Sequence, residues 1–115
     1  MKKLKLVVNN EIKKNNTNNY FVKKELKLIL NLYAQMISQG YCKDYGLSIG
    51  PIGVSFDIYK RSSERPIIRI FKNLKFKHNN EKYLVLDKSG ITIKKHENLS
   101  LLLNQLNWFK LKIVS

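Results

Sequence analysis

The chain of 115 residues has a single cysteine, Cys42, and only eight acidic residues. One cysteine cannot form an internal disulfide and cannot supply a cysteine cluster for zinc. No apolar run approaches the ~20 residues that cross a bilayer. Lys5 interrupts the apolar start at Met1–Val8 well before the length of a secretory signal. We therefore expect a cytoplasmic protein without a membrane anchor.

Catalytic motifs are also missing. His78 and His96 have no cysteine or paired carboxylate at metal-ligand spacing, which favours surface histidines. Ser62-Ser63-Glu64 has no local histidine base and no strand-serine-helix elbow, and indicates a turn. Gly50 and Gly53 lack the lysine of a phosphate loop. We expect no enzyme activity, no cofactor and no metal site.

Positive charge is the most pronounced feature that is present. The formal net charge is +14, from 22 basic and eight acidic residues. A compact state with this self-repulsion favours polyanionic partners such as nucleic acid. Only three of the basic residues are arginine, and the chain is rich in lysine, asparagine and isoleucine, as an AT-rich genome would encode. The two explanations, function and codon bias, stay open.

The length fits one domain, and the hydrophobic share of 43% predicts a packed core. Residues 1–19 are rich in lysine and asparagine, and such a stretch cannot offset its ordering entropy by burial. We predict a mobile tail at 1–19, with a short added strand at Leu4–Val8 as the alternative. Residues 20–115 are predicted to form a single α+β domain.

A first helix is predicted from Val22 to Gln39. Apolar residues recur there at three- and four-residue steps, the spacing of a helix face that packs on a core. The predicted buried stripe contains Leu26, Ile29, Leu30, Tyr33, Met36 and Ile37. Gly40 supplies the left-handed residue that ends many helices. Leu28 and Leu32 form a neighbouring stripe, which either belongs to a deep core or meets a second copy.

A β-hairpin is predicted between residues 54 and 70. Apolar and polar residues alternate from 54 to 59 and again from 68 to 70, as in half-buried strands. One register makes one face apolar throughout and places an acid opposite a base on the other face. It pairs Ile58 with Ile68, Phe56 with Ile70, and Asp57 with Arg69.

Further elements complete the predicted fold. A strand at Asp44–Ile49 precedes the hairpin, and a second hairpin runs from Tyr83 to Lys94 around a turn that ends at Gly90. A last helix has an apolar stripe at helical spacing. That stripe contains Leu99, Leu102, Leu103, Leu106 and Phe109. The fold class is therefore α+β: an N-terminal helix, an antiparallel meander of four to five strands, and a C-terminal helix packed on one sheet face.

Several strings resemble domain-of-unknown-function family 2794, a family of bacterial proteins common in alphaproteobacteria. They are Tyr20-Phe-Val-Lys-Lys-Glu-Leu26, Lys43-Asp-Tyr45, Tyr59-Lys-Arg-Ser-Ser-Glu-Arg-Pro66 with Arg69-Ile70, and Gly90 with Lys94-Lys95. The resemblance covers roughly residues 20–107 and implies no established activity or cofactor.

The chain departs from the family pattern at two positions. Val22 replaces the acid that would complete a capping box with Glu25. Cys42 stands where a tryptophan is usual, and we expect it to be a buried or semi-buried small apolar residue. Neither change threatens the predicted fold.

The basic hairpin is the candidate binding site. Arginines, lysines and aromatic rings gather there, and single-strand binders use cations for phosphates and rings for stacked bases. The predicted nucleic-acid-binding residues are Tyr59, Lys60, Arg61, Arg65, Arg69, Phe71, Lys72, Lys75 and Lys77. The alternative is structural: Arg69 pairs with Asp57, and the loop arginines hold Glu64.

Two function hypotheses follow. The first is a non-enzymatic domain that binds RNA or single-stranded DNA through the basic hairpin. The second is a protein-interaction or homodimerisation module, with its charge due to genome bias. It would use apolar residues beside the two main helical stripes, namely Leu28, Leu32, Leu101 and Trp108.

Overall fold

The computed structural model describes residues 21–61 and 65–114, with side chains described as far as Leu106. The predicted tail at 1–19 lies outside the described residues, as do the side chains of Trp108 and Phe109. The elements, in chain order, are α1 (Lys23–Ser38), β1 (Asp44–Ile49), β2 (Gly53–Tyr59), β3 (Ile68–Asn73), a 3-10 turn (Asn79–Glu81), β4 (Tyr83–Leu86), β5 (Thr92–His96) and α2 (Leu99–Val114).

Helix α1 ends at Ser38, and Gly40 follows as the predicted left-handed residue. This glycine has a φ of 78°, in the left-handed region that a side chain disfavours. Its N–H donates to the carbonyl of Ile37 at 3.0 Å, and the N–H of Tyr41 donates to the carbonyl of Met36 at 2.9 Å. The two bonds form a Schellman motif, which satisfies carbonyls at the end of the helix.

The buried face of α1 differs from the predicted stripe. Ile29, Leu32 and Met36 are buried in the core, whereas Leu30 and Ile37 are exposed. The two exposed residues were predicted in the core, and that part of the prediction is wrong. The helix turns about 100° per residue, so a stripe centred on Ile29 and Met36 leaves their following neighbours at the edge of the contact.

The five strands form one antiparallel sheet in the order β1-β2-β3-β4-β5. The predicted hairpin register is confirmed, with Ile58 opposite Ile68 and Asp57 opposite Arg69. Because the strands follow one another without a crossover, the β2–β3 loop and the β4–β5 turn lie at the same end of the sheet. We call this end, with residues 60–61, 65–67 and 87–91, the loop end.

The β4–β5 turn has the predicted glycine. The N–H of Gly90 donates to the carbonyl of Asp87 at 2.9 Å, and Gly90 has a φ of 86°. The Asp87 carboxylate accepts from the N–H groups of Ser89 and Ile91 at 2.9 and 3.0 Å. Its Oδ1 is therefore committed to holding the turn.

Both described helices pack on one face of the sheet, which we call the inner face. The core joins α1 residues to Phe56, Ile70 and Val85 of the central strands, and to α2. The buried α2 residues are Leu99, Leu102, Leu103 and Leu106, as predicted. The α+β fold class, with a helix before and after a five-stranded meander, is confirmed. Neither helix of the described chain is long and apolar enough to cross a membrane.

An aromatic trio fastens α1 to the first two strands. The rings of Tyr45 and Phe56 stack with centroids 4.8 Å apart, and Tyr33 meets both rings edge-on at 5.0 and 5.8 Å. Phe56 is fully buried. Burial raises the pKa of Tyr33 to about 12, with smaller contributions from the charges of Cys42, Asp44 and Tyr45. Cys42 itself is buried, as expected.

Candidate functional site

The sheet face opposite the helices carries three of the predicted binding residues. We call it the outer face. Tyr59, Arg69 and Phe71 have the same strand parity as Asp57, and the register places them on this face. All three are half-buried, so part of each side chain reaches solvent. The outer face therefore presents two rings and a guanidinium side by side.

A glycine supports the ring of Phe71. A Cβ atom at Gly53 would lie 2.6 Å from Cζ of Phe71 and 2.2 Å from the carbonyl oxygen of Lys72. Only a residue without a side chain fits in this space. One side of the Phe71 ring therefore packs against the backbone of Gly53. The rest of the ring surface is accessible to a ligand.

A buried carboxylate fixes the guanidinium of Arg69. Nε of Arg69 lies 3.5 Å from Oδ1 of Asp57, whose side chain is only 2% exposed. The same carboxylate accepts from the hydroxyls of Ser48 at 2.5 Å and Ser55 at 2.7 Å. A buried acid needs such partners, because an unpaired charge is costly away from water. The predicted Asp57–Arg69 pair is confirmed. Asp57 contacts the guanidinium of Arg69 on its Nε side.

The charges of Asp57 and Arg69 both affect the phenol of the neighbouring Tyr59. Burial raises the pKa of the Tyr59 phenol, the charge of Asp57 raises it further, and Arg69 opposes the shift. The ring is therefore neutral at physiological pH, the state in which it can stack without charge repulsion from phosphates.

Lys72 does not lie with the other predicted residues. It belongs to the inner face, where its ammonium donates to Oε1 of Glu25 at 2.9 Å. The hydroxyl of Tyr83 donates to the other oxygen of the same carboxylate. Both lysine and acid are buried. Burial thus removes Lys72 from the candidate surface. The alternation of β3 already indicated this placement, because Lys72 follows the inward-facing Ile68 and Ile70 at two-residue steps.

The Glu25 carboxylate also accepts from the N–H of Val22 at 2.8 Å. A capping box has two reciprocal hydrogen bonds, and this is the one from the N-cap backbone to the glutamate. The other bond cannot form, because the valine side chain has no acceptor. Burial by itself would raise the pKa of Glu25. Hydrogen bonds from Tyr83, Lys72 and Val22, with the positive charge of Lys72, outweigh that effect and hold this pKa below its usual value.

The predicted cations of the β2–β3 loop lie at the loop end. Lys60, Arg61 and Arg65 are exposed there. Arg65 and Arg69 line a cleft of about 210 Å³ together with Lys88 and the rest of the β4–β5 turn. We call this the basic cleft. It brings together cations from two loops and a strand.

Two further cations complete the surface. Lys88 lines the basic cleft, and Lys95 lies on the outer face opposite Leu84. Sequence reasoning did not select either residue. The predicted second hairpin had Lys88 in its turn and ended at Lys94, one residue before Lys95, and only the strand order places that turn beside the β2–β3 loop. Pairing the two strands of that hairpin residue by residue would have placed Lys95 opposite Leu84 on the outer face.

Lys75 and Lys77 are exposed in the loop after β3, at the opposite end of the sheet. The N–H of Lys75 donates to the side chain of Asn73 at 3.0 Å. Strands rise about 3.3 Å per residue, so the six residues of β3 separate these lysines from the loop end by roughly 17 Å. A ligand that contacts both groups must extend along the outer face.

The histidines show no metal-binding arrangement. Nδ1 of His96 accepts from the N–H of Asn98 at 2.9 Å, and His78 is exposed. Within the described residues, no group of three or more His, Cys, Asp or Glu side chains could hold a metal ion.

The predicted dimer surface is not assembled as expected. Leu32 is buried in the core and Leu28 is partly buried against it, whereas Leu101 is 49% exposed. The side chain of Trp108 lies outside the described residues. Leu30 and Ile37, two helical turns apart on α1, are exposed in place of the predicted pair.

These features define a small, basic α+β domain with helices on one sheet face and rings and cations on the other. The model of the family "Protein of unknown function (DUF2794)" matches residues 19–103, so the chain belongs to this family. No curated protein and no solved structure matches the chain.

Proposed function

We propose that this domain binds single-stranded nucleic acid, RNA or DNA, through the outer face and the loop end. The observation that carries the proposal is the common placement of Tyr59, Arg69 and Phe71 on a face that no described helix covers. Single-strand binders combine rings that stack on bases with cations that follow the backbone.

Charge supports the proposal. Two of the eight acidic residues, Glu25 and Asp57, are buried and paired with Lys72 and Arg69. These two acids neutralise the cations that they pair with, and the other 20 basic residues still outnumber the other six acids. A surface with this excess attracts a polyanion and speeds its association, most strongly at low salt.

The arrangement favours an unpaired strand. Half-buried rings on a sheet offer their surface to bases that are free to unstack, and in a duplex the bases are stacked on each other. The cations at the two ends of the outer face, about 17 Å apart by strand geometry, would contact phosphates of a strand that runs along β3.

Salt dependence of binding tests the proposal. Affinity for a labelled dodecamer of deoxythymidylate or uridylate would be measured by fluorescence anisotropy from about 50 to 200 mM salt. The triple variant Lys60→Ala, Arg61→Ala, Arg65→Ala should flatten the logarithmic salt slope by about two units, at ~0.7 per lost phosphate contact. Its melting temperature should stay near that of the parent, since all three residues are exposed.

A matched control removes the same charge elsewhere. Lys23, Lys24 and Lys27 are exposed on α1, and α1 packs on the inner face. Their replacement by alanine should change the slope far less. No binding near physiological salt, or equal effects of the two triple variants, would falsify the proposal.

Stacking is tested separately from charge. Tyr59→Leu keeps apolar bulk but removes the ring, and should weaken binding by about 1–3 kcal/mol if one base stacks there. The salt slope should not change, because the tyrosine carries no charge at neutral pH. A weaker complex with a flatter slope would instead indicate that the variant had displaced Arg69.

A second candidate function is self-association through the helices. The contact would use the exposed residues Leu30, Ile37 and Leu101. They take the place of the predicted α1 residues Leu28 and Leu32, which pack in or against the core. Light scattering at high concentration measures the mass: a dimer that Ile37→Lys converts to monomer would support this function, and a monomer throughout would remove it.

A further inference from the structure

The basic cleft is a concave part of the described surface. Its volume of about 210 Å³ is below the roughly 300–1,000 Å³ of pockets for drug-sized molecules. It is therefore suited to a small group such as a phosphate rather than to a base with its sugar. The cleft lies at the loop end, where a strand that runs along the outer face would leave the sheet.

Three cations line the cleft, and they come from separate parts of the chain. Arg65 belongs to the β2–β3 loop, Arg69 to β3, and Lys88 to the β4–β5 turn. The acid in the wall is Asp87, and its Oδ1 already accepts two backbone N–H groups. Three cations and this one acid give the lining a net positive charge.

Arg69 is held in position for this site. Its Nε faces Asp57, a buried carboxylate that two serine hydroxyls also fix. An arginine held through Nε offers its two terminal NH₂ groups to another acceptor. Such forked donors match the oxygens of a phosphate, and charge-assisted bonds of this kind are about twice as strong as neutral ones.

The net charge of the lining, +2 from three cations and the acid Asp87, suits a doubly charged ligand. An internal phosphodiester carries one negative charge, whereas a phosphate monoester carries about −1.5 to −2 at neutral pH. We propose that the basic cleft binds the terminal phosphate of the nucleic-acid strand that lies on the outer face. This inference rests on the proposed function and adds to it the recognition of a strand end.

The test compares three dodecamers of deoxythymidylate at fixed salt: one with a 5′-phosphate, one with a 3′-phosphate, and one with hydroxyl groups at both ends. We expect one of the phosphorylated strands to bind about tenfold more tightly than the hydroxyl-ended strand, which corresponds to ~1.4 kcal/mol. Lys88→Ala should remove most of this preference while the hydroxyl-ended strand still binds.

Lys95→Ala provides the matched control. Lys95 is an exposed lysine on the outer face and is not part of the cleft. Its loss should weaken all three strands by a similar factor and keep the preference for the phosphorylated end. A preference that survives in both Lys88→Ala and Arg65→Ala would place end recognition elsewhere and overturn the inference.

The remaining outcomes separate the inference from the proposed function. Equal affinity of the parent protein for all three strands overturns the cleft inference and leaves nucleic-acid binding intact. Failure to bind any of them removes both. If thymidine 5′-monophosphate competes as well as an unlabelled phosphorylated dodecamer, the cleft takes a small phosphate compound without the outer face, and the inference for a strand end is wrong.

Discussion

The ammonium of Lys72 lies 2.9 Å from the carboxylate of Glu25, although 47 residues separate them in the chain. Tyr83 donates to the same carboxylate from the neighbouring strand, and the register places it opposite Lys72. The three side chains join the first turn of α1 to β3 and β4. They form a polar connection between helix and sheet beside the hydrophobic core.

The first prediction concerns this connection. Glu25→Ala removes the carboxylate that contacts both the buried Lys72 ammonium and the Tyr83 hydroxyl, so we expect it to destabilise the domain by about 3–5 kcal/mol. The double variant Glu25→Leu, Lys72→Met should recover much of that loss, because it removes both charges and keeps the volume. Urea unfolding measures both. A double variant no more stable than Glu25→Ala would contradict the pairing.

The second prediction concerns acid pH. Because the pKa of Glu25 is lowered in the folded state, the folded protein binds this proton less readily than the unfolded chain. The resulting stability is fully present above the ordinary pKa of 4.5 and is lost as the pH falls through and below that value. Urea midpoints from pH 7 down to about 3 should show this loss. Glu25→Gln should have a shallower decline; an unchanged decline would rule out Glu25 as its source.

The third prediction concerns the aromatic trio. Phe56 is fully buried and contacts the rings of Tyr33 and Tyr45. Phe56→Ala should cost about 3–5 kcal/mol of unfolding free energy, through lost burial and the cavity left behind. Phe76→Ala is the control, since that ring is 37% exposed, and should change stability by no more than about 0.5 kcal/mol. Similar melting curves for parent and Phe56→Ala would mean that the sheet faces are inverted.

The fourth prediction concerns the contact of Gly53 with β3. An alanine Cβ at this position would lie 2.2 Å from a backbone oxygen and 2.6 Å from the Phe71 ring. Gly53→Ala should therefore force β2 and β3 apart and cost at least about 2 kcal/mol. At Gly50 the nearest atom is 4.0 Å away, so Gly50→Ala is the matched control and should be nearly neutral. Equal thermal stability of the two variants would contradict the close packing.

The sequence by itself determined the elements and the central register. Period-two alternation and the opposition of Asp57 to Arg69 specify one pairing of β2 with β3, since a slip of one residue would turn the apolar face outward. Gly40 and Gly90 mark their turns for an equally local reason, because their positive φ disfavours a side chain. These features depend on residues within about one hairpin of each other.

The tertiary structure decided which side chains share a site. The basic cleft exists because the meander brings the β2–β3 loop beside the β4–β5 turn, so Lys88 joins Arg65 and Arg69. Alternation assigned Lys72 to the apolar face, but only the packing of α1 supplied the Glu25 carboxylate that makes its burial stable. Exposure of Leu30 instead of Leu32 likewise depends on the rotation of α1 against the sheet. Periodicity gives a helix an apolar side, but the exact rotation is set by contacts with strands far along the chain, and a local pattern does not contain them.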